Sequence, residues 1–425
     1  GWGRLPDSFT RSKALTEMVG NPARQNLHCI HKHSIKGLRM QRLKDRRPMA
    51  VTLSHQSALD ALRMVRSEGT SVHEMDAARL AAPSAWVGKR LGRKNFDPDV
   101  WRWQQPSASK PLHILVPSDR SRVRGGSIVA HISARDLPPG SVLWLDGHSG
   151  MVCPELLFLQ MAESFSFPAL VMLGLELCGH FARQADDPLM GDVVDGIPAA
   201  TDADSIGRYL ASLERVKGLT KARKALDFVC DHAVSAPEAV LATMYGLPPE
   251  ESGYGLGPVH LNERVRVADG GQWTRDRHRY PDLMFDFAPV GLNYDGSKHF
   301  DVSDLMVAAE AFARSDEMTR GGAREALRKK LLAARAKILD DNLRDRQLAA
   351  QGRIVLPITK EDLSAGERLD ELTRQVLSCA YEVFGVDVDR YLKTLDDALL
   401  ARDRRDLLGA LAPQGGSGRS SYGLL

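Results

Sequence analysis

The chain has 425 residues, of which 43% are hydrophobic and 26% charged, with a formal net charge of +3. That composition is globular, long enough for two or three cores, and too weakly basic to mark the whole chain as a nucleic-acid binder. No run reaches the ~20 apolar residues of a membrane span. The most apolar stretch, 167–179, is broken by Glu176 and reads as a buried helix.

The opening at Gly1 points to a natural start upstream or removed, and the polar N-terminus carries no signal-peptide pattern. Residues 1–48 read as a basic irregular leader, with eleven Lys or Arg against three acids in 1–47. It contains His28, Cys29, His31 and His33, but their spacing fits no standard zinc finger. The five cysteines, Cys29, Cys153, Cys178, Cys230 and Cys379, are scattered without a C-x-x-C pair. Reduced thiols and a cytoplasmic location are expected.

Order begins near residue 49. Ser54 or Ser57 can cap a helix whose Ala58, Leu59, Leu62 and Val65 share one face. "PLHILVP" (111–117), "GSIVAHIS" (126–133) and "SVLWLDG" (141–147) predict three strands. Two helices follow, the first with Pro154 in its opening turn. Residues 49–182 are therefore expected to form an α+β domain, with His55 and His131 as lone structural histidines. An acidic linker and helical connector should occupy 183–234.

From 235 the pattern is helix, three strands, helix, strand, helix, in a domain expected to span 235–400. Ser235 is the expected N-cap of the first helix, with Glu238 in its first turn. A charged helical region covers 303–350, and the tail 401–425 reads as disordered. Asp282 stands at the start of one strand; Asn293, Asp295, Lys298 and His299 gather at the end of the next. Oxygen ligands of this kind suit Mg²⁺, which can activate water against a phosphodiester. Lys298 or His299 would position the water or assist proton transfer. The bland alternative stands beside this: turn and strand-end residues at Asp282 and Asp295, and a Glu238 that only complements a helix N-terminus.

The residues also carry a resemblance. "YDGSKH" and "DNLRDRQLAAQGRIV" resemble two motifs of the very-short-patch-repair-like branch of the PD-(D/E)xK nuclease superfamily. The matched positions are Asp295 to His299, then Asp341, Arg344, Asp345, Leu348, Gly352 and Val355. The resemblance implies an α/β restriction-endonuclease-like domain, a central mixed sheet flanked by helices; the stretch between its two motifs departs from the family by being longer and carrying an extra helical pattern, which reads as a helical insertion at about 303–336. It also implies a Mg²⁺-dependent DNA endonuclease of defence or repair. Glu238 would be the first-helix acid, Asp282 and Asp295 metal ligands, His299 the closing histidine, and Arg344 a contact to substrate phosphate or a site acid. Asn293 stands where the family has an acid; its amide oxygen or backbone carbonyl could still ligate metal. "LSHQSALDALR", "LHILVPSDRSRVRGGSIVAHIS" and "MVCPELLFLQMA" resemble the AbiEi-type antitoxins of toxin–antitoxin systems. The chain as a whole also resembles actinobacterial proteins that join such a domain to a nuclease-like one. The second reading is thus a catalytically inactive, antitoxin-like regulator that binds DNA or a toxin-like protein partner.

Overall fold

The computed structural model describes residues 51–69, 106–119, 122, 126–133, 137–145, 149–183, 193–267, 278–295 and 302–411. The leader, its His28–His33 group, Lys298 and His299 lie outside the described residues. Two compact units result: one closes at Cys153, and the other begins at Leu62 and resumes at Pro154. No helix among the described residues is long and apolar enough to cross a membrane.

The first unit is built on β1 (Val51–Leu53), β2 (Leu112–Val116), β3 (Ile128–Ile132), β4 (Val142–Trp144) and β5 (Ser149–Val152), in the order β3-β2-β1-β5-β4. The three expected strands are β2, β3 and β4. The central strand β1 escapes a pattern search because its three residues, all buried, offer no alternation. Helix α1 (His55–Ser67) buries Ala58, Leu59, Leu62 and Val65 as expected. Ser54 precedes it directly, whereas Ser57 lies inside it and accepts the His113 N–H at 2.9 Å. The histidines are not isolated. His55 stacks on His131 with ring centroids 3.5 Å apart, and His113 Nδ1 lies 2.9 Å from His131 Nε2. Period-two side-chain alternation on the parallel pair β2–β3 puts His113 and His131 on one face.

The second unit takes in α2 (Pro154–Met161) and α3 (Phe167–Leu177), which the sequence reading assigned to the N-terminal domain. All eight residues of α2 are buried, so it needs helices around it, and α4 (Ala203–Ala211) and α5 (Leu219–Leu226) supply them. The residues flanking the acidic stretch pair as β6 (Phe181–Arg183) with β7 (Val193–Asp195). Helix α6 (Ala236–Gly246) follows, capped by Ser235.

The helical layer closes around one buried carboxylate. Glu176 takes two hydrogen bonds from Arg63, at 2.8 and 2.7 Å, and one from the Arg183 backbone N–H at 3.2 Å. Arg66 donates to the carbonyls of Glu176, Gly179 and Pro198 at 3.0, 2.8 and 3.1 Å. Burial pulls the Arg66 guanidinium down to about 10, with Glu176 opposing. Burial alone would raise Glu176, but Arg63 and its neighbours hold it below its ordinary value.

The second sheet comprises β8 (Val259–Leu261), β11 (Leu283–Phe285), β12 (Val290–Asp295) and β13 (Ile354–Thr359), in the order β13-β12-β11-β8. The strands β8, β11 and β12 run antiparallel in turn; β13 returns parallel to β12. Parallel pairing requires a crossover, here α7 (Val302–Arg314) and α8 (Arg320–Ala349). Pro357 sits in β13, an edge strand where its missing N–H costs no ladder bond. Gly352, at φ +72°, makes the turn from α8 into β13. Between β8 and β11 lies a separate two-stranded pair, β9 (Val265–Arg266) with β10 (His278–Arg279). The domain is thus a mixed sheet with helices, as expected. The stretch expected as a helical insertion is helical: it holds α7 and the first part of α8, which runs unbroken for 30 residues into the motif helix. After β13 come α9 (Lys360–Ser364), α10 (Gly366–Phe384), α11 (Asp389–Asp396) and α12 (Ala398–Leu411). Disorder expected from 401 is overturned up to Leu411, because α12 buries Arg404, Leu408 and Leu411.

Glu176→Ala leaves Arg63 buried and uncompensated, and should cost about 3–5 kcal/mol of stability. Urea unfolding of wild type and variant measures it.

Candidate active site

Glu238 is the third residue of α6. Its Oε1 accepts from Ser235 Oγ at 2.7 Å, and its Oε2 from the Val234 N–H at 2.9 Å. These bonds form a capping arrangement, so the bland reading of Glu238 describes part of what it does. Oε2 takes a second donor, Asn262 Nδ2, at 2.6 Å. Asn262 follows β8 in a left-handed conformation, φ +50°. Its amide also reaches the His232 carbonyl at 2.9 Å, and its backbone N–H the Asp282 carbonyl at 3.2 Å. One residue that the sequence reading passed over thus ties the helix acid to the strand acid. Its signal was faint: an Asn just past a short strand, a residue type that tolerates positive φ.

Asp282 stands immediately before β11 and is locked to β12. Its Oδ2 accepts the Tyr294 N–H at 2.5 Å, while its own N–H donates to Asn293 Oδ1 at 3.2 Å. Asn293 is therefore the cross-strand partner that orients Asp282. Its Nδ2 is buried and has no hydrogen-bond partner among the described residues. At the position where an acid was expected, the strand pair presents an orphaned donor. Gly291, two residues earlier, allows β11 this close; a Cβ there would collide with the Met284 side chain and the Leu283 carbonyl.

Asp295, at the end of β12, is about half exposed and pairs with Lys337 Nζ at 2.5 Å. Lys337 comes from α8, where Lys337, Asp341, Arg344 and Leu348 share one helical face by their spacing. Arg344 Nη1 holds Asp341 at 3.0 Å, its Nε reaches Asp345 at 3.3 Å, and its charge lowers Asp282. Of the two roles expected for Arg344, the observed contacts are with acids. Arg279 of β10 pins the same helix, donating to Gln347 at 2.7 Å and to Asp340 at 3.0 Å. Lys337 and Asp341 were not picked out as site residues, because the helix period had no known sheet to face.

Glu238, Asp282, Asn293, Asp295 and Arg344 therefore meet at one end of the β11–β12 pair, joined by Asn262, Lys337 and Asp341. The carboxylates do not form a finished metal cage. Among the described residues no three His, Cys, Asp or Glu side chains are placed to hold one ion. Two of these carboxyls nonetheless hold their protons more tightly than usual. Burial pushes Glu238 up to about 7, with the Asp282 charge adding to the rise. Burial likewise lifts Asp282 to about 6, against lowering by the Tyr294 N–H and Arg344.

Compared with protein-family models, curated proteins and solved structures, the chain matches none.

The raised carboxyls have a sign that can be measured. Between about pH 4 and pH 7 the folded metal-free chain holds more protons than the unfolded chain. Stability from these groups is complete below their unfolded values and is lost as pH rises through the folded ones. Urea midpoints of wild type should therefore fall over this window relative to Glu238→Gln/Asp282→Asn.

Proposed function

We propose that the second unit hydrolyses phosphodiester bonds of DNA with a divalent metal, as a restriction-endonuclease-like domain. The carrying observation is that Asn262 bridges the buried Glu238 carboxyl and the backbone of half-buried Asp282 on a different element, with the proton affinities of both acids raised. Such a pair is stabilised either by protons or by a cation. The donor set is all oxygen, which suits Mg²⁺ rather than a soft transition metal. The element order supports the fold: an acid-bearing helix, an antiparallel three-stranded run, a helical crossover and a parallel fourth strand.

In this reading Asp282 and Asp295 would hold the metal, with Asn293 as a third oxygen only if its amide lets go of the Asp282 N–H. Bound metal supplies an activated water and charge neutralisation at the scissile phosphate. Glu238 would orient the attacking water, and its near-neutral proton affinity would let it accept a proton there. Lys298 or His299 assists the proton transfer, and Arg344 holds the acids of α8 in place. Cleavage of plasmid DNA with Mg²⁺ or Mn²⁺ tests the reading. Asp282→Ala should abolish nicking, and activity that survives it would remove Asp282 from the chemistry.

One observation favours the second reading, a nuclease-like fold retained to bind DNA or a protein partner. Asn293 spends Oδ1 on the Asp282 N–H and turns a donor, not an acceptor, into the buried slot. Asn293→Asp keeps an acceptor for that N–H and replaces the orphaned donor with charge. If one charge is all that is missing, Mn²⁺ affinity should rise roughly tenfold, about 1.4 kcal/mol. A titration by calorimetry reads it, and no gain would point to the binding role.

A further inference from the structure

Among the described residues, the cation paired with Asp295 is an ammonium. Lys337 Nζ lies 2.5 Å from Asp295 Oδ1 and 3.9 Å from Asp341 Oδ2, and its side chain is 26% exposed. Both of those carboxylates are close enough to Asp282 to raise its proton affinity. Among the described residues, Lys337 faces Asp295 and Asp341. Arg344 is taken up by Asp341 and Asp345 on its own helix. Lys337 bridges from α8 to the end of β12.

We propose that Lys337 is a built-in counter-cation of the candidate site, holding Asp295 until a divalent metal displaces it. The inference rests on the metal reading above and adds to it a residue that sets metal affinity. An ammonium and a metal ion compete for the same oxygen, because a carboxylate oxygen within hydrogen-bond reach of Nζ cannot also approach a metal without bringing like charges together. Lys337 is long and flexible enough to swing away, since its four-carbon stem turns about single bonds. Lys337 is thus a positioning residue, acting through Asp295.

Mn²⁺ binding, followed by calorimetry and by the electron paramagnetic resonance of free Mn²⁺, tests this without any turnover. Lys337→Met keeps most of the stem and removes the charge; Lys337→Arg keeps the charge. The expected result is Mn²⁺ affinity about tenfold higher in Lys337→Met, with Lys337→Arg close to wild type. Asp295→Asn should erase the difference between Lys and Met at 337. Binding by Lys337→Met but not by wild type would equally support the proposal. If wild type binds Mn²⁺ and Lys337→Met binds no better, Lys337 is only a structural ion pair and the inference is overturned, while the metal reading stands. If neither binds Mn²⁺, and circular dichroism shows both folded, both readings fall.

Discussion

One buried and one half-buried carboxyl, Glu238 and Asp282, at one end of the β11–β12 pair set the terms for everything around them. Asp282 cannot leave, because its backbone and side chain are both stitched into β12 through Asn293 and Tyr294. Glu238 cannot leave, because Ser235, Val234 and Asn262 hold it at the start of α6. With both fixed, the protein must supply positive charge or protons. The raised proton affinities and the Lys337–Asp295 pair are two responses to the same constraint.

Helix α8 carries the other half of that response. One face brings Lys337, Asp341 and Arg344 to the end of the sheet, and buried Leu348 anchors it. Arg279 fixes the helix from the side of β10. The crossover that a parallel β13 demands is therefore also the element that balances the site. Elsewhere in the second unit the opposite arrangement holds. Glu176 is surrounded by guanidinium groups and stays ionised, because Arg63 meets both its oxygens. One buried carboxylate has its partners built in, and the other pair does not.

Legibility followed the physical signal. The strands β2, β3, β4, β12 and β13 were readable because apolar runs were bounded by turn residues. So were α6 and α10, through a Ser cap and a clean apolar face. The strands β1 and β5 and the β6–β7 pair were not, being three or four residues long and stabilised by partners distant in sequence. The domain boundary was placed too late for the same reason. Helices α2 and α3 are apolar all round, and an all-apolar helix does not say which core it belongs to. In the site, the acids were found by type and spacing, whereas Asn262 and Lys337 came to light only from their contacts.

By itself the sequence determined the element types, the order helix–strands–helix–strand from residue 235, and the placing of acids at strand and helix ends. Those follow from local periodicity, capping and turn chemistry, which need only near neighbours. Tertiary structure alone decided that Glu238 and Asp282 share one buried region, that Asn293 serves Asp282 through its oxygen, and that Lys337 closes on Asp295. Each joins groups 11 to 44 positions apart in the chain, as with Asn293–Asp282, Lys337–Asp295 and Glu238–Asp282. No local pattern encodes such a distance; only the folded sheet and its crossover helix bring the charges within reach of one another.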